Sequence, residues 1–487
     1  MKIAFVNPPD RNTVIEFPDD KGDSFLEADD YGYFPPLGLL YVLSYLEKTA
    51  PEHQLYFLDC PSEQMSHEAL RLRLQEIQPD LVGLTSFTVS LVDVALAAKT
   101  AKEVNPSAHV CMGGHHAIAY PHEAASLPNI DSIVVGEGEH AFTELVRSLA
   151  DGLDITTIPG VYTAESLRTT AAAKKDKRFL NSVIVTPAYV SDIEHLPFPN
   201  RRYMKHIRYQ SIVGVTANLT TILSSRGCPY LCTFCNVPYK QYRERTPASV
   251  VDEMEECLAL GYEEFHFYDD LFNITPKKVI ELCDEIDRRN LKVVWDFRGR
   301  VNGIDRESLV RAKKSGCRMI SFGVETGSDE GLKVLRKGTN VRKVLEAFKL
   351  CRELGIVTIA DYMIGLPHER TRADVMRNID FLIDDLDPDY AQFNILTLYP
   401  HTEAYDQAVA KGIVDPGRWN AFAMNPTKNF QVDHWTEHLP LSALVELYKL
   451  AYRKFYFRPR YIARSLTRIK TPHEFMAKFR GALKLVG

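Results

Sequence analysis

The sequence predicts an α/β protein: an N-terminal doubly wound parallel sheet, then a partial (β/α)6 barrel, then a mainly helical C-terminal region. Three observations carry this expectation. Short apolar runs rich in Val, Ile, Leu and Phe alternate with helical periodicity over residues 1–150. The alternation lapses over 151–215 and resumes over 216–400. Residues 401–487 then read as mainly helical.

In the first region, strands are expected at 2–7, 54–59, 81–86, 109–112 and 132–135, with helices between them at 37–48, 67–77 and 92–104. Strands separated by helices make βαβ units and a parallel sheet. An open sheet of this kind holds its ligand at the carboxyl ends of the strands. In the connecting segment, β-like runs at 160–164 and 182–186 flank a basic, alanine-rich stretch, which suggests a small hairpin. Leu196-Pro197-Phe198-Pro199-Asn200 reads as a turn. In the second region, strands are expected at 220–224, 264–268, 292–297, 319–323, 358–364 and 390–396, with helices such as 248–260 and 277–289. Six βα units fit a partial barrel, although periodicity alone does not separate it from a second open sheet. In barrels of this kind, chemistry sits on the loops after the strands.

The chain has 487 residues, more than one compact domain usually holds. Hydrophobic residues at 45% and charged residues at 25% fit a soluble globular protein. A net charge of −6 argues against nucleic acid as a partner. The start, MKIAFVNPP, is strand-like rather than a basic and then apolar leader. No stretch reaches the roughly 18 uncharged apolar residues of a membrane span, so a cytoplasmic protein is expected. Of nine cysteines, Cys60, Cys111, Cys257, Cys283, Cys317 and Cys351 stand singly, as small buried hydrophobes do in a reducing compartment. The other three stand together, as metal ligands do.

Those three lie in Ser225-Arg226-Gly227-Cys228-Pro229-Tyr230-Leu231-Cys232-Thr233-Phe234-Cys235, directly after the first strand of the second region. One loop at this spacing wraps the thiolates of Cys228, Cys232 and Cys235 around one face of an iron–sulfur cluster. Gly227 lets the chain turn tightly before the first ligand. With three ligands, one iron keeps an open position. The alternative is structural zinc, which takes four ligands in two paired half-sites. No second Cys/His pair stands at such spacing, and His266 stands alone.

The CxxxCxxC loop resembles the defining motif of the radical S-adenosylmethionine (SAM) superfamily. The resemblance implies a [4Fe–4S] cluster whose open iron takes the amino and carboxylate groups of SAM. An electron from the cluster then cleaves SAM to methionine and a 5′-deoxyadenosyl radical. It also implies an electron donor such as a flavodoxin or ferredoxin. Further segments match by position. Tyr268-Asp269-Asp270 ends the second strand, where the family contacts the methionine amino group, in place of the usual Gly-Gly-Glu. The alternative for these acids is strand-end capping. Arg300, after the third strand, is placed to reach the SAM carboxylate or to form a surface ion pair. Glu325 in Gly323-Val324-Glu325-Thr326-Gly327 matches the segment at the ribose and amino acid. Gly365 in Ile364-Gly365-Leu366-Pro367 matches the adenine side. Phe234 packs near the adenine or belongs to the core.

The first region resembles the cobalamin-binding domain fused to one large branch of this superfamily. The matching residues are Asn7-Pro8-Pro9, Pro35-Pro36-Leu37-Gly38-Leu39, Gly113-Gly114-His115-His116 and Val135-Gly136-Glu137-Gly138-Glu139. By this resemblance Asn7, Pro9, Leu37, Gly38, Ser86, Gly113, Gly114, His115, Gly136, Glu137 and Gly138 belong to the cobalamin site. Strand-end glycines let backbone approach a large flat ring. The Asp-x-His-x-x-Gly motif of cobalamin-dependent methionine synthase is absent, so no histidine ligand to cobalt is predicted. His115 and His116 are read as shaping their loop.

The resemblance implies a cobalamin-dependent radical SAM methyltransferase acting on an unactivated carbon of a small-molecule or lipid-like substrate. Two alternatives share the motifs. One is an oxidative cyclase or rearrangement enzyme without methyl transfer, as in the anaerobic cyclase of bacteriochlorophyll synthesis. The other is a non-catalytic corrinoid or electron carrier. Substrate contacts are expected on barrel loops, for instance near Tyr399-Pro400-His401-Thr402, and in the C-terminal region. Between Arg453 and Lys484 stand ten Lys/Arg and one acid, Glu474, with interleaved aromatics. This composition suits either peripheral membrane contact or a closing helix packed on the barrel.

Overall fold

The computed structural model describes residues 1–14, 33–170, 178, 184–209, 211, 213–216 and 218–468. The chain divides into two compact units: residues 1–16, 34–208 and 415–431, and residues 17–33, 209–414 and 432–487.

The first unit is built on β1 (Lys2–Asn7), β2 (Gln54–Asp59), β3 (Leu81–Ser86), β4 (His109–Gly114), β5 (Ser132–Val134) and β6 (Val161–Tyr162), in the order β2-β1-β3-β4-β5-β6. β1 to β5 are parallel, and their buried Val, Ile, Leu and Phe make near-continuous apolar runs, as strands covered on both faces require. The order reverses between β1 and β3. Right-handed crossovers therefore place helices on both faces. Helix 37–49 packs with helix 138–151, and helix 67–77 with helix 91–104. The run expected at 160–164 does not form half of a hairpin. Val161–Tyr162 pairs antiparallel with β5 and ends the sheet. Most of the basic stretch and the first two residues of the run at 182–186 lie outside the described residues, and residues 184–186 form no strand. Helix 417–424 belongs to this unit, where Asn420 donates to Glu123 at 2.7 Å.

The second unit carries β7 (Leu219–Ile222), β8 (Ser225–Arg226), β9 (Arg243–Glu244), β10 (Glu264–Phe267), β11 (Val294–Gly299), β12 (Cys317–Glu325), β13 (Val357–Ile364) and β14 (Tyr390–Ile395). β8 and β9 form a separate antiparallel pair. The six others form a parallel sheet in the order β14-β13-β12-β11-β10-β7. That order never reverses, so right-handed crossovers place every helix on the same face, the winding of a partial barrel. Phe265, Phe267, Trp295, Phe297, Phe322 and Phe393 enter one buried core with helix residues such as Val250, Val279 and Leu309. Period-2 alternation sends the residues between them to the opposite, inner face.

The inner face is polar, and its floor is sealed by charge. Glu264 accepts from the backbone N–H groups of Val215 and Thr216, each at 2.9 Å, and from Arg318. Arg318 also meets Asp296, and Asp296 takes His266 Nδ1 at 2.7 Å. Glu264, His266 and Asp296 lie close enough to hold a cation. The four bonds already made by Glu264 mark instead an ion-pair plug that ties residues 213–216 to the floor. The lone His266 of the sequence is thus a packed histidine.

The edge of β14 is covered by helix 441–456. Phe393 N–H donates to the Tyr452 hydroxyl at 3.2 Å, and the Tyr456 hydroxyl donates to Ala391 O at 2.8 Å. A covered edge cannot pair with another chain. Of the tail aromatics within the described residues, Phe455 is fully buried and Tyr461 packs on it, while Phe457 is exposed. Arg458, Arg460 and Arg464 gather around Asp387. The tail beyond 468, with Glu474, Phe475 and Phe479, lies outside the described residues. Among the described residues no helix is long and apolar enough to cross a membrane.

Candidate cofactor sites

The cysteine loop leaves the sheet at the end of β7 and is pinched at its base by β8 and β9, a pairing the sequence did not signal. Cys228 N–H donates to Tyr239 O at 2.9 Å, and Cys235 N–H to Cys232 O at 3.1 Å. Gly227 has φ +85° and lies against Gln241 O, so a side chain there would collide with the returning limb. Asp269 and Asp270 hold this loop. Asp269 accepts from Ser224 N–H at 2.7 Å and the Ser225 hydroxyl at 2.6 Å, and Asp270 from Gly227 N–H at 2.8 Å. Strand-end acids therefore organise the cysteine turn here. Cys228, Cys232 and Cys235 are half-buried, while the six scattered cysteines are fully buried. Three accessible thiols on one pinched loop fit the open-faced cluster. Burial pushes the Cys228 and Cys235 thiols up. Cluster binding must therefore release their protons.

Arg300 stands against this loop. Its guanidinium lies 3.8 Å over the Tyr230 ring and donates to Cys232 Sγ at 3.3 Å. Its Nε and Nη2 are buried with no partner among the described residues. Two orphaned donors beside the thiols fit an anionic group such as the SAM carboxylate, since a buried unpaired donor is costly. Asn273 fixes the position: its side chain accepts from Arg300 N–H at 2.9 Å and donates to Arg300 O at 2.8 Å.

Glu325 is buried with φ +69°, a strained value for a non-glycine residue. It pairs with Lys337, which also lies 5.7 Å from the Phe234 ring. Burial raises the Glu325 carboxyl, and Lys337 opposes that rise. A Cβ on Gly323 would lie 2.6 Å from Glu325 Oε1, so the glycine makes room for the pair. Lys337 was missed because it lies beyond the strand-end motifs. Asn378 was missed likewise. It accepts from Gly327 N–H at 2.8 Å and the Tyr362 hydroxyl at 2.6 Å, and donates to Glu369 at 2.7 Å, joining the ends of β12 and β13. Gly365 has φ +72° beside Leu444. Tyr268 faces inward under Arg298, whose guanidinium lies 5.2 Å from the ring.

In the first unit, Asn7, Pro9, Ser86, Gly113, Gly114 and His115 gather at or just beyond the carboxyl ends of β1, β3 and β4, beside the reversal of strand order. Asn7 donates to Asp59 at 2.7 Å, and the Ser86 hydroxyl to Gly113 O at 2.6 Å. Gly114 has φ +98°, and a Cβ there would lie 2.6 Å from Ser86 O. Phe87, not singled out in the sequence, is 53% exposed and stacks on His115 at 5.1 Å. An exposed flat aromatic pair at the crevice fits a large planar macrocycle. His116 is fully buried against Thr88 and Tyr120. Burial lowers its pKa to about 3, so it is neutral and closed to the crevice. Glu137 accepts from Val190 N–H at 2.7 Å, and Gly136 lies against Ala188, so this pair fastens the connecting segment. A Cβ on Gly138 would lie 3.0 Å from Val42 Cγ2, so the glycine lets helix 138–151 pack closely on Val42. Leu37 is buried at the start of its helix, and Gly38 has open space around it.

Comparison with known proteins finds a family match in each of two parts of the chain. Residues 222–382 match the radical SAM superfamily, and residues 25–146 match the B12 binding domain. The chain is a radical SAM enzyme with a B12-binding domain. Its cofactors are a [4Fe–4S] cluster, SAM and cobalamin. Along its whole length this radical SAM enzyme is 28% identical to PH0819 of Pyrococcus horikoshii, an uncharacterized methyltransferase, of which it covers 98%. It is 29% identical to the anaerobic magnesium-protoporphyrin IX monomethyl ester cyclase of Rubrivivax gelatinosus, over 78% of this chain and 67% of the cyclase. Its fold matches the radical SAM methyltransferase TsrM from Kitasatospora setae with a TM-score of 0.70, at 22% identity, over 92% of this chain and 90% of that one.

Proposed function

We propose that this enzyme is a cobalamin-dependent methyltransferase acting on an unactivated carbon of a small molecule. The observation that carries the reading is the presence of two cofactor sites on one chain: the cysteine loop with its orphaned Arg300 donors, and the crevice with its exposed Phe87–His115 pair. When bound, the cluster and SAM supply a carbon-centred radical that removes a hydrogen atom, and cobalamin supplies a carrier for the methyl group. The chain's own residues orient these groups. Cys228, Cys232 and Cys235 hold iron. The free donors of Arg300 hold a carboxylate. Phe87 and His115 offer a flat aromatic support, and neutral His116 stays within the core. The protein works in a reducing, cytoplasmic setting with a flavodoxin- or ferredoxin-like electron donor.

A second reading, an oxidative cyclase without methyl transfer, is favoured by the likeness to the Rubrivivax enzyme. One anaerobic assay separates the two. Reconstituted protein is given SAM, cobalamin and a strong reductant, and mass spectrometry counts 5′-deoxyadenosine and S-adenosylhomocysteine. Methyl transfer predicts both products, with deoxyadenosine lost in Cys232→Ala and homocysteine product lost without cobalamin. Deoxyadenosine alone supports the cyclase reading. Neither product, from protein with a full cluster that fails to bind SAM, refutes both.

A further inference from the structure

We infer that Asp93 is a positioning residue for the cobalamin crevice: its buried carboxylate locks the loop after β1 against the turn after β3 and the helix after β2. The inference deepens the cofactor reading and rests on that crevice being the place where cobalamin binds.

Strand order puts β2, β1 and β3 side by side, and the segment after each of them supplies one residue to the same cluster. Asn12, on the loop after β1, donates its backbone N–H to Asp93 Oδ2 at 2.7 Å and its side-chain amide to Oδ1 at 2.6 Å. His67 opens helix 67–77, which follows β2, and its Nε2 lies 2.6 Å from Oδ1. Asp93 itself stands in the first turn of helix 91–104, which follows β3, and is fully buried. A helix start favours its negative charge. Val14 N–H, which donates to Val89 O at 2.8 Å, adds a second tie between the loop after β1 and the turn after β3. Ser90 fixes Phe87 at the head of that turn. Phe87 N–H donates to the Ser90 hydroxyl at 3.3 Å, and the hydroxyl donates to Phe87 O at 3.2 Å.

The chemistry of this clamp requires an acid. Three donors converge on two carboxylate oxygens, and an amide in the same place would turn an NH2 group toward one of them. A buried carboxylate is costly unless its bonds are made, so it holds both loops in one arrangement. Its place in the sheet separates Asp93 from the acids that tie the sheet's other end. Asp80 and Asp131 accept from Lys2 N–H and Val110 N–H, each at 2.7 Å, at the amino ends of the strands. Asp93 acts beyond the carboxyl ends, beside the reversal between β1 and β3 where an open sheet takes its ligand. The two walls it joins carry Pro9 and Phe87. An unclamped wall is in binding position only part of the time, and the apparent dissociation constant rises by the inverse of that fraction. Asp93 therefore serves cobalamin by holding the walls, as a positioning group rather than a ligand.

The test titrates the full-length, cluster-loaded protein with hydroxocobalamin under anaerobic conditions. Fluorescence quenching gives the dissociation constant, circular dichroism checks that each variant is folded at the temperature used, and iron is counted. Asp93→Asn keeps the shape, removes one acceptor and should raise the dissociation constant about tenfold. Asn12→Ala keeps the backbone bond and should raise it about threefold. Asp131→Asn, at the opposite end of the sheet, should change it by less than about twofold, with iron content constant throughout. A purely structural carboxylate would lower the unfolding midpoint of Asp93→Asn and leave the dissociation constant of the folded protein where it was. That outcome overturns the inference. If Asp93→Asn does not fold, Asn12→Ala decides alone, and an unchanged constant overturns the inference. Equal weakening by Asp131→Asn overturns it too, because loosening the sheet anywhere is then enough. Wild-type protein that takes up no hydroxocobalamin refutes the crevice as the cobalamin site and the clamp with it, whereas wild-type binding with unmoved variants refutes the clamp alone.

Discussion

The two parallel sheets are built from the same βα repeat and differ in one respect, the order of their strands. In the first sheet the order reverses between β1 and β3, helices cover both faces, and the ligand position is a crevice at strand ends. In the second the order never reverses, helices cover one face, and the other face stays free to carry polar side chains. The consequence shows in where charge lies. The first sheet offers glycines and the Phe87–His115 stack at its crevice, suited to a large flat ring. The second offers Arg300 and Glu325, suited to small charged groups. One repeat thus supports two kinds of site because winding, rather than composition, decides which face is uncovered.

The largest expected effect comes from the cysteine loop. Cys235→Ser should remove the iron–sulfur absorbance and reduce deoxyadenosine formation by at least about 100-fold, while cobalamin binding changes by less than about twofold. Loss of cobalamin in this variant would show that the two sites are not independent. Next is the floor of the second sheet. Arg318→Ala leaves Glu264 and Asp296 buried without their cation and should cost about 3–5 kcal/mol in denaturant unfolding. A cost below 1 kcal/mol, on the order of a surface pair, would mean the plug is not structural.

Glu369 gives a test by pH. Burial raises its carboxyl from 4.5 to about 7. Between those values the folded state binds the proton more tightly than the unfolded chain. The contribution is therefore complete below about pH 4.5 and is lost as pH rises through about 7, with a total of about 3 kcal/mol. Glu369→Gln should flatten the stability–pH curve across that window, measured by urea unfolding; an unchanged slope would assign the dependence to another group. The smallest effect belongs to the first sheet. Gly114→Ala forces a side chain to φ +98° against Ser86, at a cost of about 1–3 kcal/mol. Cobalamin retention on gel filtration should fall while iron content holds. Equal loss of iron would break the separation between the sheets.

Much of this was legible in the residues themselves. Apolar β-branched runs marked the strands because a covered parallel strand must be apolar throughout. The CxxxCxxC spacing marked the loop because one turn can wrap three thiols on one cluster. Glycine at strand ends marked the crevice because only glycine tolerates the close approach seen at Gly114. The sequence by itself determined the α/β class, the order of the two regions and the cysteine loop, and its resemblance to known families implied the three cofactors. Tertiary structure alone decided the rest. Strand order separated crevice from inner face, which periodicity cannot do, since both windings share the same local pattern. It also decided partners: Lys337 with Glu325, Asn273 with Arg300, Asp269 with the cysteine turn, and Phe87 with His115. These residues lie 12 to 45 positions apart in the chain. Such pairings come from how strands and loops converge in space, and no local propensity encodes them.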